Sequence, residues 1–122
     1  MSVKVAINGF GRIGRQVTRA AMQRPDIEIV AINDLGSADS NAHLFKYDSI
    51  HGEYKGDVQT EGNNIIIDGK KIQYTQEKDP EKLPWKELGV QIVVEGTGAF
   101  RSKAKASKHL TAGASKVVIT AP

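Results

Sequence analysis

The chain has 122 residues, a formal charge of +3 from 17 Lys and Arg against 14 Asp and Glu, and no cysteine. That is one domain's worth of chain, long enough to bury roughly two-thirds of its unfolded surface. Disulfides and thiolate metal sites are excluded, as the absence of cysteine requires, which fits a cytoplasmic protein. No apolar run approaches the roughly 20 residues that span a bilayer, so no membrane partner is expected. The N-terminus enters a strand pattern at once, with no secretion signal. The basic excess is spread out, and its one local cluster, Lys103, Lys105 and Lys108, reads as a solvated helix face rather than a nucleic-acid surface.

The first element is a strand, Val3-Lys4-Val5-Ala6-Ile7, running into Gly9-Phe10-Gly11-Arg12-Ile13-Gly14. Each glycine of this G-x-G-x-x-G string has a separate expected use. Gly9 permits the sharp turn, Gly11 lets the backbone approach a diphosphate, and Gly14 lets a helix pack closely on the strand. The helix start presents free N–H groups and about half a positive charge to an anion. The spacing alone is weak in a chain with twelve glycines. Its context, after a strand and before a helix, raises it. That helix places Ile13, Val17, Ala20 and Ala21 on one face and stops at Arg24-Pro25.

A second strand, Ile27 to Ile32, ends in Asn33-Asp34. Asp34 follows Gly14 by twenty residues, close to where an acid reaches the ribose hydroxyls of a dinucleotide. Ser37 caps a helix over Ala38 to Tyr47 that carries Ala42, Leu44 and Phe45, and Asp48 to Gly52 reads as loop. His51 has no partner acid or second histidine at metal spacing and is read as a loop residue, while His43 and His109 fall in helix patterns and are read as structural; no metal site is expected.

Three short strands follow, over Asp57 to Thr60, Asn64 to Ile67 and Lys71 to Thr75, the last expected to join the main sheet. Asp68-Gly69 between apolar runs is a strong hairpin signal. Lys78 falls in the next loop. Pro84 opens one helical turn in which Trp85, the sole tryptophan, is expected in the core. Val90 to Glu95 has the continuous hydrophobicity of a strand covered on both faces. Thr97, between two glycines at its carboxyl end, is a candidate cofactor contact. Ser102 caps a helix with Ala106 and Leu110 on one face, and Lys116 to Ile119 is the last strand. The fold class expected is α/β: a Rossmann-type doubly wound, mainly parallel sheet with an inserted antiparallel meander, one domain over 1–122.

Six segments then resemble the glyceraldehyde-3-phosphate dehydrogenase family, in the family's order: Val3 to Arg15, Ala31 to Asp34, His43 to Gly52, Leu83 to Trp85, Glu95 to Phe100 and Lys116 to Pro122. The resemblance implies the NAD-binding, amino-terminal half of that enzyme. It implies pyrophosphate contacts from Arg12 and Ile13 beside Gly9, Gly11 and Gly14, and ribose contacts from Asp34. Lys78 is placed on the adenine side, Thr97, Gly98 and Phe100 along the cleft, and Thr120 near the nicotinamide. It further implies glycolytic aldehyde oxidation and phosphorylation through a cysteine thiolate, and a homotetramer at full length.

With no cysteine here, no catalytic residue is assigned, and the chain alone is expected to bind NAD without reducing it. The resemblance places the catalytic domain and the last strand of the nucleotide domain beyond Pro122, which would leave Val117 to Ile119 as a sheet edge. A stand-alone dinucleotide-binding module, and the same half of an erythrose-4-phosphate dehydrogenase, are the alternatives.

Overall fold

The computed structural model describes residues 2–47, 56–78, 82–96 and 108–119. In chain order the elements are β1 (Val3–Asn8), α1 (Arg12–Ala21), β2 (Ile27–Asn33), α2 (Ala38–Lys46), β3 (Val58–Glu61), β4 (Asn64–Ile67), β5 (Lys70–Thr75), α3 (Trp85–Leu88), β6 (Ile92–Glu95), α4 (Lys108–Thr111) and β7 (Lys116–Ile119). The strands form one sheet in the order β3-β4-β5-β2-β1-β6-β7. β5, β2, β1, β6 and β7 run parallel, while β3–β4 and β4–β5 are antiparallel. This is the Rossmann-type arrangement, with the meander delivering β5 to the place beside β2.

Hydrophobic character explains the layers. Val5, Ala6, Ile7 and Asn8 of β1 are all buried, as a central strand covered on both faces requires. On one face Val5, Ile7, Ile32, Ile72 and Tyr74 pack with Phe10 and with Phe45 of α2. On the other, Ala6, Ala31 and Val93 meet Leu83, Trp85, Ala112 and Ala114. Trp85 is fully buried.

The meander turns at Asp68-Gly69, where both residues have positive φ (52° and 80°), matching the right-handed twist of the strands they join. Ser37 Oγ accepts from Ser40 N at 3.1 Å and caps α2. β7 pairs with β6 alone among the described residues, and Val118 is exposed there.

Helix faces differ from the sequence expectation. The stripe that α1 buries is Gly14, Thr18 and Ala21, with Ile13 and Val17 half-buried and Ala20 exposed. Thr18 can go inside because its Oγ1 donates to Gly14 O at 2.9 Å. In α2, Ala42 and Phe45 turn inward and Leu44 outward; in α4, His109 is buried and Leu110 exposed. The Ser102 cap and Ala106 lie outside the described residues. No helix among the described residues is long and apolar enough to cross a membrane.

Candidate dinucleotide site

The chain builds its sheet outward from β1 to β2 and β5, then returns to lay β6 and β7 on the other side. The direction of growth changes between β1 and β6. Ligands of open α/β sheets sit in the crevice at the carboxyl ends of the strands at such a point.

The turn from β1 to α1 occupies that end. Gly9 adopts φ 92° and its N–H donates to Asn33 O at 2.7 Å. Phe10 goes into the core, its ring stacked on Phe45 at 5.9 Å, which anchors the turn from below. Gly14 is required by space: a Cβ there would lie 2.4 Å from Gly9 O and 3.0 Å from Ile7 Cγ2. Gly11 is the reverse case, with no atom of the described residues within 4 Å of the position a Cβ would take. The opening is on the solvent side, at the residue preceding α1. No side chain caps this helix and no acid occupies its first turn. Its leading N–H groups, at Arg12, Ile13 and Gly14, therefore have no intrahelical acceptor and carry the positive end of the helix dipole. Exposed Arg12 adds a full charge beside them.

Asp34 follows β2 and is half-buried. Its Oδ1 accepts from Phe10 N at 2.9 Å; its Oδ2 accepts from Gly36 N at 2.9 Å and Asn41 Nδ2 at 3.0 Å. The carboxylate thus ties the glycine turn to the loop after β2. Three of its roughly four acceptor positions are used. The loop is held from the other side by Tyr74, whose hydroxyl donates to Gly36 O and accepts from Asn41 Nδ2 at 2.6 Å. Burial raises the Tyr74 pKa above its ordinary 10.0 by disfavouring the phenolate; the Asn41 bond opposes this and the Asp34 charge adds to it. Lys78 is exposed three residues past β5. Thr97, Gly98, Phe100 and Thr120 lie outside the described residues.

A set of side chains that the sequence reading did not single out lies directly beneath this site. Thr75, Asn33, Asn8 and Glu95 stand opposite one another at the ends of β5, β2, β1 and β6. Thr75 Oγ1 donates to Asn33 Oδ1 at 2.6 Å, and Asn33 Nδ2 to Asn8 Oδ1 at 2.7 Å. Asn8 Nδ2 donates to Glu95 Oε1 at 2.6 Å. Glu95 Oε1 also lies 2.7 Å from His109 Nε2, and His109 Nδ1 lies 3.0 Å from Trp85 Nε1. Trp Nε1–H can only donate, so His109 Nδ1 accepts and its proton sits on Nε2, aimed at Glu95. The one sequence signal for this row was a polar residue closing each of the apolar runs Val5 to Ile7, Ile29 to Ile32 and Ile92 to Val94.

The strand order, the uncapped glycine turn and the acid one strand over define a Rossmann-type dinucleotide-binding domain. The comparisons narrow the class. The family model described as "Glyceraldehyde 3-phosphate dehydrogenase, NAD binding domain" matches residues 3–103, and the chain belongs to that family. Among curated relatives, glyceraldehyde-3-phosphate dehydrogenase of Zymomonas mobilis is 64% identical over 100% of this chain and 37% of its own length. That of Geobacillus stearothermophilus is 58% identical, over 100% and 36%. Glyceraldehyde-3-phosphate dehydrogenase 1 of Kluyveromyces lactis is 62% identical, over 98% and 37%. The chain therefore spans little more than a third of the length of these relatives.

Proposed function

We propose that these residues are the NAD-binding portion of a phosphorylating glyceraldehyde-3-phosphate dehydrogenase, joined to a catalytic part that supplies the thiolate. The observation that carries this reading is the open face at Gly11 beside the uncapped start of α1, with the Asp34 carboxylate one strand away. A diphosphate fits that opening: it needs close backbone approach and receives the leading N–H groups of the helix. The fourth acceptor position of Asp34 then takes a ribose hydroxyl without displacing Phe10, Gly36 or Asn41. On this reading the family resemblance assigns the adenine side to Lys78, cleft contacts to Thr97, Gly98 and Phe100, and the nicotinamide end to Thr120.

When bound, NAD supplies a hydride acceptor. This chain's residues bind and orient it; with no cysteine among them, they do not perform the thiolate step. The whole enzyme, on this reading, oxidises and phosphorylates glyceraldehyde 3-phosphate in the cytoplasm as a homotetramer.

A carboxylate at Asp34 repels a 2′-phosphate, so NAD is preferred to NADP. Titration calorimetry with both nucleotides tests this directly. Tighter binding of NAD, with no reduction of NAD by this chain alone, is the expected result. Tighter binding of NADP would overturn the role given to Asp34.

A further inference from the structure

We infer that Glu95 and His109 are positioning residues for the nucleotide cleft, acting through Asn8 from below the sheet's carboxyl edge. The inference rests on the dinucleotide reading above and adds the groups that set the height of its floor.

Position in the sheet comes first. Thr75, Asn33, Asn8 and Glu95 are in register across four adjacent parallel strands, and each is the last residue of its strand. The next residue is in every case at the cleft: Gly9 opens the phosphate turn, Asp34 carries the acid, Gly96 follows β6 and Gln76 follows β5. The row is therefore the rigid ledge from which each cleft segment departs. Parallel strands joined by backbone bonds alone can slide and twist slightly against one another. Side-chain bonds of 2.6–2.7 Å between directly opposed residues remove that freedom at the level where it matters.

Burial makes these bonds obligatory. Asn8 is 3% exposed, Asn33 4%, Glu95 1% and His109 0%. A polar group in such surroundings has no water to fall back on, so losing one partner strands the other. Glu95 Oε1 is the junction: Asn8 Nδ2 and His109 Nε2 both aim at it, and as a result lie 3.3 Å from each other. His109 is fixed in turn by Trp85 Nε1. Asn8 is held at one amide end by Asn33 and at the other by Glu95, and its backbone carbonyl accepts from Gly96 N at 2.8 Å. The Gly9 turn therefore departs from a residue held at three points. A phosphate site needs its N–H groups placed to within about half an ångström, which is the tolerance such support provides.

Two substitutions at one position separate positioning from mere structure. Glu95→Gln can keep the Oε1 acceptor; Glu95→Leu removes it while filling the volume. In the intact protein, Glu95→Leu should weaken NAD binding by about tenfold or more, measured calorimetrically on folded material, and Glu95→Gln should stay within about threefold. Thr75→Val, at the half-buried end of the row, removes one hydroxyl and should weaken binding by about threefold. If Glu95→Leu does not fold, Glu95→Asp, which draws the carboxylate back from Asn8 and His109, decides in its place, with a loss of about tenfold expected. Lowered thermal midpoints with NAD affinity unchanged in Glu95→Leu, or in Glu95→Asp where it takes that place, would overturn the inference. An unaltered protein that binds neither NAD nor NADP would instead remove the dinucleotide reading itself.

Discussion

The molecule uses glycine turns at two ends of its sheet, and they are glycine for opposite reasons. At Asp68-Gly69 the reason is conformation: φ of Gly69 is 80°, and no atom of the described residues lies within 4 Å of a hypothetical Cβ there. At Gly14 the reason is space: the residue is helical, and its Cβ would strike Gly9 O. Gly11 belongs to neither kind. Its N-cap conformation (φ −83°) suits any residue, and no atom of the described residues stands in its Cβ direction. Neither reason, among the described residues, asks for glycine there; the diphosphate approach proposed above supplies one.

Substitution sharpens that contrast. Gly14→Ala should do the most harm, pushing α1 off β1 at a cost of about 1–3 kcal/mol or more and taking nucleotide binding with it. Chemical denaturation and calorimetry on the same sample would show both losses. Gly11→Ala should separate them: NAD affinity falls by about a hundredfold, while unfolding stability changes by less than about 1 kcal/mol. If both changed together, or neither, the assignment of Gly11 to ligand approach would be wrong. Gly69→Ala should cost roughly 1–2 kcal/mol for holding a side chain at positive φ, with NAD affinity unaltered.

Smaller effects lie around the Asp34 loop and the surface. The Tyr74 pKa is raised in the folded state, so the folded protein keeps that proton when the unfolded chain has lost it. The associated stability is present below about pH 10 and is lost as pH rises beyond it. Denaturation midpoints measured against pH should fall more gently in Tyr74→Phe than in the unaltered protein above that value. Least of all, Arg24→Ala should leave stability unmoved. Hydrogen bonding to Asp26 raises the Arg24 pKa and lowers that of Asp26, but the pair stands in solvent, where water competes for both partners.

What could be read from the chain follows the same division between local and distant causes. The strand-turn-helix at Gly9 to Gly14, the Ser37 cap, the Asp68-Gly69 hairpin and the burial of Trp85 each depend on a few consecutive residues, and each was legible. Asp34 was legible as an acid at the right distance from Gly14. Its clamp on Phe10, Gly36 and Asn41 was not, because two of the three are backbone donors with no side-chain signature. The buried row left only a faint sequence signal for a further reason: Asn8 and Glu95 are 87 residues apart, and hydrophobic periodicity treats every polar residue as facing out. Thr18 and His109 break that rule because their polar atoms are satisfied inside. Ala20, Leu44 and Leu110 break it in the other direction.

The central place of β1 has a consequence for how the chain is made. Its first strand is also the middle one of the five parallel strands, and one of its two neighbours, β6, comes from the far end of the chain. At ribosomal speeds of about 5–20 residues per second, Asn8 is exposed for roughly 4 to 17 seconds before Glu95 is even synthesised. During that interval β1 has β2 beside it and an unpaired edge on the other side. Until β6 arrives, that apolar edge is where a second unfinished chain would pair.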